Sequence, residues 1–281
     1  MSESPPSVRL RRLVRWILIP ARMAAAAGFW LGRVQSTGPA EGSGLMGTTD
    51  AKPSHNSLRI GTFNIDGGQG LDGQLDLDRT VRCLQRLDFI GLNEVHGDIF
   101  DAATNQAKIL GGKLDLPYLY VPAEQQFGNP TFGNAIFSDL PITHWQRIVL
   151  PSARFRALRN FTISDADWHG TTVHFLTTHV DFKAGGDEQL GIVTQVFLNL
   201  PEPAVLMGDL NHTAASPQIQ QLLASKGVEE AIDSFLGPPP PPPKGRVDWI
   251  FLRGLRAVDA GIVDFGASDH PAYWADVKLK K

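Results

Sequence analysis

"AVLMGDLNHTAASPQI", Ala204 to Ile219, is the stretch on which the reading of this chain turns. Four apolar residues, Ala204-Val205-Leu206-Met207, have the content of a buried strand. They run into Gly208-Asp209-Leu210-Asn211, and Ser216-Pro217 then starts a short helix with proline in its first turn. Residues two apart on a strand point to the same side, so Asp209 and Asn211 can face one pocket. A carboxylate and an amide held together suit a reaction at phosphorus. The carboxylate can take or orient a proton of water, and the amide can donate to an oxygen that gains charge. A surface turn would use the same residue types, since a lone Asp after a strand is usually a turn or cap residue. The choice rests on whether other strands end in the same way.

They do. Asn64 ends "LRIGTFNI" (58–65), Glu94 nearly ends "DFIGLNEV" (88–95), and His179 closes "HFLTTH". Asp248 sits inside "GRVDWIF", and Asp269 and His270 lie in "GASDHP". A fold that gathers strand ends at one edge gathers these side chains too. Glu94 offers a hard oxygen ligand, and Mg²⁺ takes one or two carboxylates with waters and the substrate phosphate. No His/Cys cluster has zinc spacing; Cys83 stands alone inside a predicted helix. Asp248, between Val247 and Trp249, is expected to be part-buried. A buried carboxylate needs a partner, and His270 is the candidate. Taken singly, Asn64 reads as an Asx-turn and His270 as a hydrogen-bonded loop histidine.

The remaining pattern is rich in short strands. The chain has 281 residues, 42% of them hydrophobic and 20% charged, with 28 glycines and 20 prolines, which favours many strands and turns over a helical bundle. Further strands are expected at 133–138, 156–163, 171–178, 203–209, 245–254, 258–265 and 272–279, and helices at 75–87, 99–112, 187–200 and 217–226. Strands outnumber helices, which predicts a sandwich of two sheets with helices packed outside. The hexaproline run Pro238–Pro243 reads as a stiff spacer.

Charge divides the chain. Residues 1–57 hold seven Lys/Arg and three Asp/Glu, a net of +4, and residues 58–281 hold 19 and 26, a net of −7. An acidic main domain is a poor general binder of nucleic acid, whose affinity comes largely from phosphate neutralisation. Residues 1–34 form a hydrophobic, basic leader. Arg9, Arg11, Arg12 and Arg15 resemble the positive start of an export signal. Two apolar patches follow, each shorter than the roughly 20 residues of a membrane span. Alternatively, Leu10, Leu13, Val14, Ile17 and Leu18 share one helical face and the arginines another, as in a helix lying on an anionic membrane. Signal, anchor and membrane-surface helix stay open, with membrane association or export expected; the lone cysteine also fits the cytoplasm. Residues 35–57, rich in Gly, Ser, Thr and Pro, read as a flexible linker, which places the catalytic domain at 58–281.

In order, "LRIGTFNIDGG", "DFIGLNEVHG", "GNAIFSDLPI", "FLTTHVD", "VLMGDLNHT", "GRVDWIFL" and "ASDHPAYWADV" resemble the endonuclease/exonuclease/phosphatase superfamily. Within it the chain is most similar to small bacterial metal-dependent hydrolases, whose opening pattern Phe63–Arg79 fits. The resemblance implies an α/β fold, a four-layer sandwich of two β-sheets flanked by helices, with the site at one end. It implies that Glu94 ligates Mg²⁺ or Mn²⁺, with Asn64 and Asp269 beside it. Asp209 would orient or deprotonate the attacking water, Asn211 would contact the phosphoryl oxygens, and His179 would bind phosphate or assist the leaving oxygen. His270, held by Asp248, would be general base or transition-state stabiliser.

Three positions depart from the family pattern. Asn93 stands where relatives commonly carry Gln. "SARFRAL" lacks the acid that relatives place before the strand at 156–163, which removes the expected carboxylate partner of His179. His212 follows Asn211 where a small residue is frequent, which is expected to narrow the pocket.

The expected function is a Mg²⁺-dependent hydrolase of a phosphate mono- or diester. The acidic domain and the leader favour a phospholipid headgroup or other small phosphodiester. A nuclease using the same site is the alternative; Arg154, Arg156, Arg159 and Lys183 are its nearby cations. A binding module with a vestigial site is disfavoured because every chemical position is present. The expected partners are a phosphate-ester substrate and a membrane surface through residues 1–34, and the chain is expected to be a monomer.

Overall fold

In the computed structural model, residues 33–47, 56–98, 105–126, 129–152, 157–183, 185–238 and 245–280 are described. Numbered in chain order, the strands are β1 (Arg33–Gln35), β2 (Glu41–Gly42), β3 (Leu58–Asn64), β4 (Phe89–His96), β5 (Tyr118–Gln126), β6 (Asn129–Ser138) and β7 (Ile142–Val149). Then come β8 (Asn160–Trp168), β9 (Thr171–His179), β10 (Ala204–Asp209), β11 (Val228–Glu230), β12 (Asp248–Arg253), β13 (Leu255–Val263) and β14 (Ala272–Leu279). The helices are α1 (Leu77–Leu84), α2 (Gln106–Leu114), α3 (Gly186–Asn199), α4 (Pro217–Ala224) and α5 (Asp233–Leu236).

Alternation of side chains along the strands builds the layers. On β10, Val205 and Met207 enter the core between the sheets, while Ala204 and Leu206 enter a second core under α3 and α4. On β12, Ile250 and Leu252 face inward, and Trp249 and Phe251 face the helices. On β4, Phe89 points between the sheets and Ile90 points to a third core with Leu84 and Leu110 of α1 and α2. The sheets are locked across the middle by Phe89 and Phe175, whose rings stack with centroids 3.7 Å apart. Such a pair adds about 1 kcal/mol beyond its buried area. The order is helix, sheet, sheet, helix: the expected four-layer α/β sandwich.

The first sheet runs β1-β5-β6-β4-β3-β14-β13 and the second β11-β12-β10-β9-β8-β7-β2. Each has one parallel pair at its centre, β3 with β4 and β9 with β10. Parallel neighbours need a crossover, and α1 and α3 supply it. Local chemistry fixes where those helices begin. Asp76 accepts from the backbone N–H groups of Asp78 (2.9 Å) and Arg79 (3.2 Å) at the start of α1. Ser216 caps α4 at 3.2 Å to the Ile219 N–H, with Pro217 at the first turn.

Two expectations are corrected. Residues 33–47, assigned to a leader and a flexible linker, run along both sheets: β1 pairs with β5, and β2 with β7. Arg147 is buried and donates to the carbonyls of Ser36 (3.2 Å), Pro39 (3.1 Å) and Gly38 (2.6 Å), so a stretch with little apolar content is held by hydrogen bonds instead. The folded body therefore includes residues 33–47 as well as those from Leu58 on. β5 and β7 also had no counterpart in the sequence reading. β5 carries Pro122, which cannot donate to the ladder and sits beside a register shift. The leader up to residue 32, Arg154, Arg156 and the prolines from 239 to 243 lie outside the described residues. Among the described residues, no helix is long and apolar enough to cross a membrane.

Candidate active site

Strand direction gathers the predicted residues at one edge. β3 and β4 end there with Asn64 and Glu94, and β9 and β10 end there with His179 and Asp209, which are register partners. β12 runs the other way and starts there, placing Asp248 opposite Asp209. β14 is antiparallel to β3, so the loop before it carries Asp269 and His270 to the same edge. All eight predicted residues, with Asn211 just beyond β10, therefore converge.

The second-sheet residues form a bonded, buried group with His270 and Asn64 of the first sheet. His270 Nδ1 lies 2.7 Å from Asp248 Oδ2, and its Nε2 is 3.9 Å from Asp209 Oδ2. Asp209 accepts from the Asn64 amide at 3.0 Å through Oδ2 and from the Asn211 backbone N–H at 2.9 Å through Oδ1. Asn64 thus bridges the two sheets. The Asn211 amide nitrogen is 2.9 Å from Val180 O and 3.1 Å from His179 Nε2. It also lies 3.3 Å from Asp209 Oδ2, so Asn211 stands between His179 and Asp209. His179 Nδ1 is buried without a hydrogen-bond partner among the described residues, as the missing acid in "SARFRAL" would leave it.

These contacts set the proton affinities. Burial and the neighbouring Asp248 push Asp209 up to about 7, against the pull of His270 and the Asn64 amide. Burial alone would lower His270, but its bond to Asp248 and the charges of Asp248, Asp209 and Asp269 push it up to about 9. Burial raises Asp248, and His270 pulls it back. A carboxylate that keeps its partner protonated is itself ionised, so the pair is Asp248⁻ with His270⁺ near neutrality. Burial, with Arg159 and His270 nearby, holds His179 well below the usual range, so it is neutral.

The first-sheet residues behave differently. Burial raises Glu94, and the charges of Asp66 and Asp269 raise it further, against Arg159 and the Asn64 amide. Asp66 is raised by burial and by Asp269. Three carboxylates therefore repel one another around one amide oxygen donor. The backbone is bent to bring them there. Glu94 has φ +57° at a register shift in β4, and Asp66 has φ +44°. Non-glycine residues in this left-handed region cost on the order of 1–3 kcal/mol each when strained. The donor set is all hard oxygen and carries surplus negative charge, which fits a divalent cation of the Mg²⁺ or Mn²⁺ kind. Asp209, Asp248 and His270 also bring ligand atoms within 4.8 Å of one another. As the imidazolium, His270 offers no lone pair, so this trio would take a cation only on losing that proton.

Several site residues were not in the sequence-based set. Asp66 follows Asn64 by two and shares its turn, a spacing that could have flagged it. Asn93 is buried beneath the site. Its oxygen accepts from the Asp209 backbone N–H at 2.9 Å, and its nitrogen donates to Asn134 Oδ1 at 2.9 Å and Thr178 O at 3.0 Å. Asn134 continues to Asn160 Oδ1 at 3.1 Å, and Asn160 to Pro122 O at 3.0 Å. This amide chain ties both sheets under Asp209, and no one-dimensional pattern announces it. Arg159, named only as a surface cation, is 6% exposed and acts on Glu94 from inside. His212 does not narrow the pocket; its ring lies 2.7 Å from Leu210 O and 3.1 Å from Asp187 Oδ1 at the start of α3.

A family model described as "Endonuclease/Exonuclease/phosphatase family" matches residues 61–270. Among solved structures, an endonuclease/exonuclease/phosphatase from Beutenbergia cavernae is similar at 23% identity and TM-score 0.62, over 79% of this chain and 72% of that one. One from Bacteroides vulgatus is similar at 18% identity and TM-score 0.63, over 80% and 99%. D. rerio TDP2, solved with a single-strand DNA product, is similar at 17% identity and TM-score 0.60, over 79% and 99%. At these identities the structures establish the fold. A search of curated proteins gave no match.

Proposed function

The chain belongs to the endonuclease/exonuclease/phosphatase family, whose members are metal-dependent phosphoric ester hydrolases, and we propose that it is a Mg²⁺-dependent phosphodiesterase acting on a phospholipid headgroup or other small phosphodiester. The observation that carries this reading is the protonated His270–Asp248 pair beside Asp209, next to the repelling carboxylates of Asp66, Glu94 and Asp269. A divalent ion held by Glu94 with Asn64, Asp66 and Asp269 would supply Lewis-acid polarisation of a phosphoryl oxygen.

The chain's own groups supply the rest. Asp209, ionised, orients a water and accepts its proton. His270 Nε2 lies beyond hydrogen-bond reach of its neighbours, at 3.9 Å from Asp209 and 4.0 Å from Asp269, and donates to the phosphoryl oxygen as charge grows there. Asp248 keeps that imidazole protonated and in one orientation. Neutral His179, held by Asn211, faces Glu94 at 3.8 Å and borders the substrate side.

The acidic body, net −7 over residues 58–281, favours a small or lipid ester over a polyanion. TDP2 in complex with DNA supports the nuclease alternative by fold. Against it, Arg159 is spent inside the protein, which leaves Lys183 as the exposed one of the candidate cations among the described residues.

The test is hydrolysis of bis-p-nitrophenyl phosphate, sphingomyelin, a glycerophospholipid and single-stranded DNA, with Mg²⁺ and with chelator. Turnover of the small or lipid diesters that chelator abolishes is expected. A preference for DNA moves the assignment to the nuclease, and turnover indifferent to chelator overturns the metal reading.

A further inference from the structure

We propose that the catalytic edge of this protein docks face-on against an anionic lipid bilayer. The argument starts from strand direction. β5 is antiparallel to β6, and β6 to β4, so β5 runs with β4 and ends with Gln126 at the Glu94 edge. β1 is antiparallel to β5 and sets Arg33 opposite Gln126. The chain therefore enters the fold at the catalytic edge, three strands from β4, which is about 14 Å at ~4.8 Å per strand. The sequence that precedes Arg33 contains Arg9, Arg11, Arg12 and Arg15 together with Leu10, Leu13, Val14, Ile17 and Leu18. A basic and apolar sequence suits an anionic lipid surface, and this one joins the fold at the catalytic edge.

The rim of that edge is built for the same surface. The most exposed large apolar side chains among the described residues are Leu71 (71%), Leu75 (68%) and Phe182 (62%). Leu71 and Leu75 lie in the loop after Asn64, and the Leu71 N–H bonds Gly266 O at 3.1 Å, in the loop that carries His270. Phe265, 54% exposed, is next to Gly266. Phe182 follows His179 by three residues, and the Lys183 ammonium lies 4.7 Å from the centre of its ring. Apolar side chains mixed with a lysine suit the boundary between headgroups and acyl chains. The opposite edge has Met46, 56% exposed, which bridges to Tyr118 at the start of β5. The leader is positive and the body acidic, so attraction to anionic lipid comes from the leader and the rim adds apolar depth.

This inference deepens the hydrolase reading by placing the site where a phospholipid headgroup is found. Its test uses no turnover, so it can fail or succeed independently of that reading. An environment-sensitive fluorophore is attached to the full chain at Leu75→Cys or at Met46→Cys. Cys83 is buried and does not compete for the label. The labelled proteins are mixed with phosphatidylglycerol/phosphatidylcholine vesicles containing brominated acyl chains. The label at 75 is expected to shift to the blue and be quenched, with the label at 46 unchanged. Equal responses, a stronger response at 46, or no vesicle binding overturns the proposal. In parallel, Leu71→Ser/Leu75→Ser/Phe182→Ser is expected to lower vesicle binding by about tenfold, the scale of a few buried apolar side chains, with turnover of bis-p-nitrophenyl phosphate unchanged. Undiminished binding of that variant counts equally against it.

Discussion

The two sheets feed one site with different materials. The first sheet's Glu94 and Asp269 have side chains 28% and 66% exposed, and the charge of Asp269 raises the proton affinity of Glu94. The second sheet's His179 and Asp209 are each 2% exposed and Asp248 is 3% exposed. Asp209 and Asp248 are held by close hydrogen bonds to Asn64, Asn211 and His270. Open oxygens that repel one another can accept a cation from solution at once. Buried acids already committed to hydrogen bonds would have to give those up, and they serve instead to fix where protons sit. The fold thus separates ion binding from proton handling and joins the two sheets through Asn64 to Asp209 and His270 to Asp248.

Substitutions should divide along the same line. The largest effect is expected for Glu94→Ala: turnover with metal falls by roughly 10³-fold or more, while the melting temperature holds or rises because a repelling charge is gone. Melting and rate measured together check this, and a large loss of stability would mean that Glu94 is a structural group.

His270→Ala should cost roughly 10²-fold in kcat/KM, the scale of a lost acid–base group. The wild-type profile should be bell-shaped. Activity rises as Asp209 ionises through about 7, a limb that bound metal moves lower, and falls as His270 loses its proton through about 9. Asp248→Asn removes the largest contribution that raises the imidazole and leaves burial opposed only by Asp209 and Asp269, so the alkaline limb should move down. A limb that stays in place would separate His270 from the profile.

Beneath the site, Asn93→Ala strips partners from the Asp209 N–H and Thr178 O, and about 3 kcal/mol of stability should be lost with them. Chemical denaturation reads this directly. The smallest effect belongs to Arg147→Ala. It should loosen residues 36–39 at a cost of about 1–2 kcal/mol, with turnover unchanged.

Sequence showed most clearly what is repeated and local. The apolar alternation of β10 and β12 and the Ser216-Pro217 helix start each encode their own conformation. So do the polar strand ends Asn64, Glu94, His179 and Asp209, because β-strand direction carries them to a common edge. The Asn93–Asn134–Asn160 chain was not legible, because its members come from three strands of two sheets and each looks like an ordinary amide. Nor was the edge role of residues 33–47, whose Gly/Ser/Pro composition matches a linker and whose order comes from the distant Arg147. Asn211 stands where its motif puts it, with its amide nitrogen near Val180 O and His179 Nε2, contacts that the motif alone does not announce.

The division between the sheets is tested most directly by a Mn²⁺ titration, followed by electron paramagnetic resonance, of the full-length protein, Glu94→Gln and Asp248→Asn. Glu94→Gln should weaken binding at least about tenfold, and Asp248→Asn should bind as the parent does while turning over poorly. Binding that survives in Glu94→Gln and is lost in Asp248→Asn would contradict it and place the cation on the second sheet.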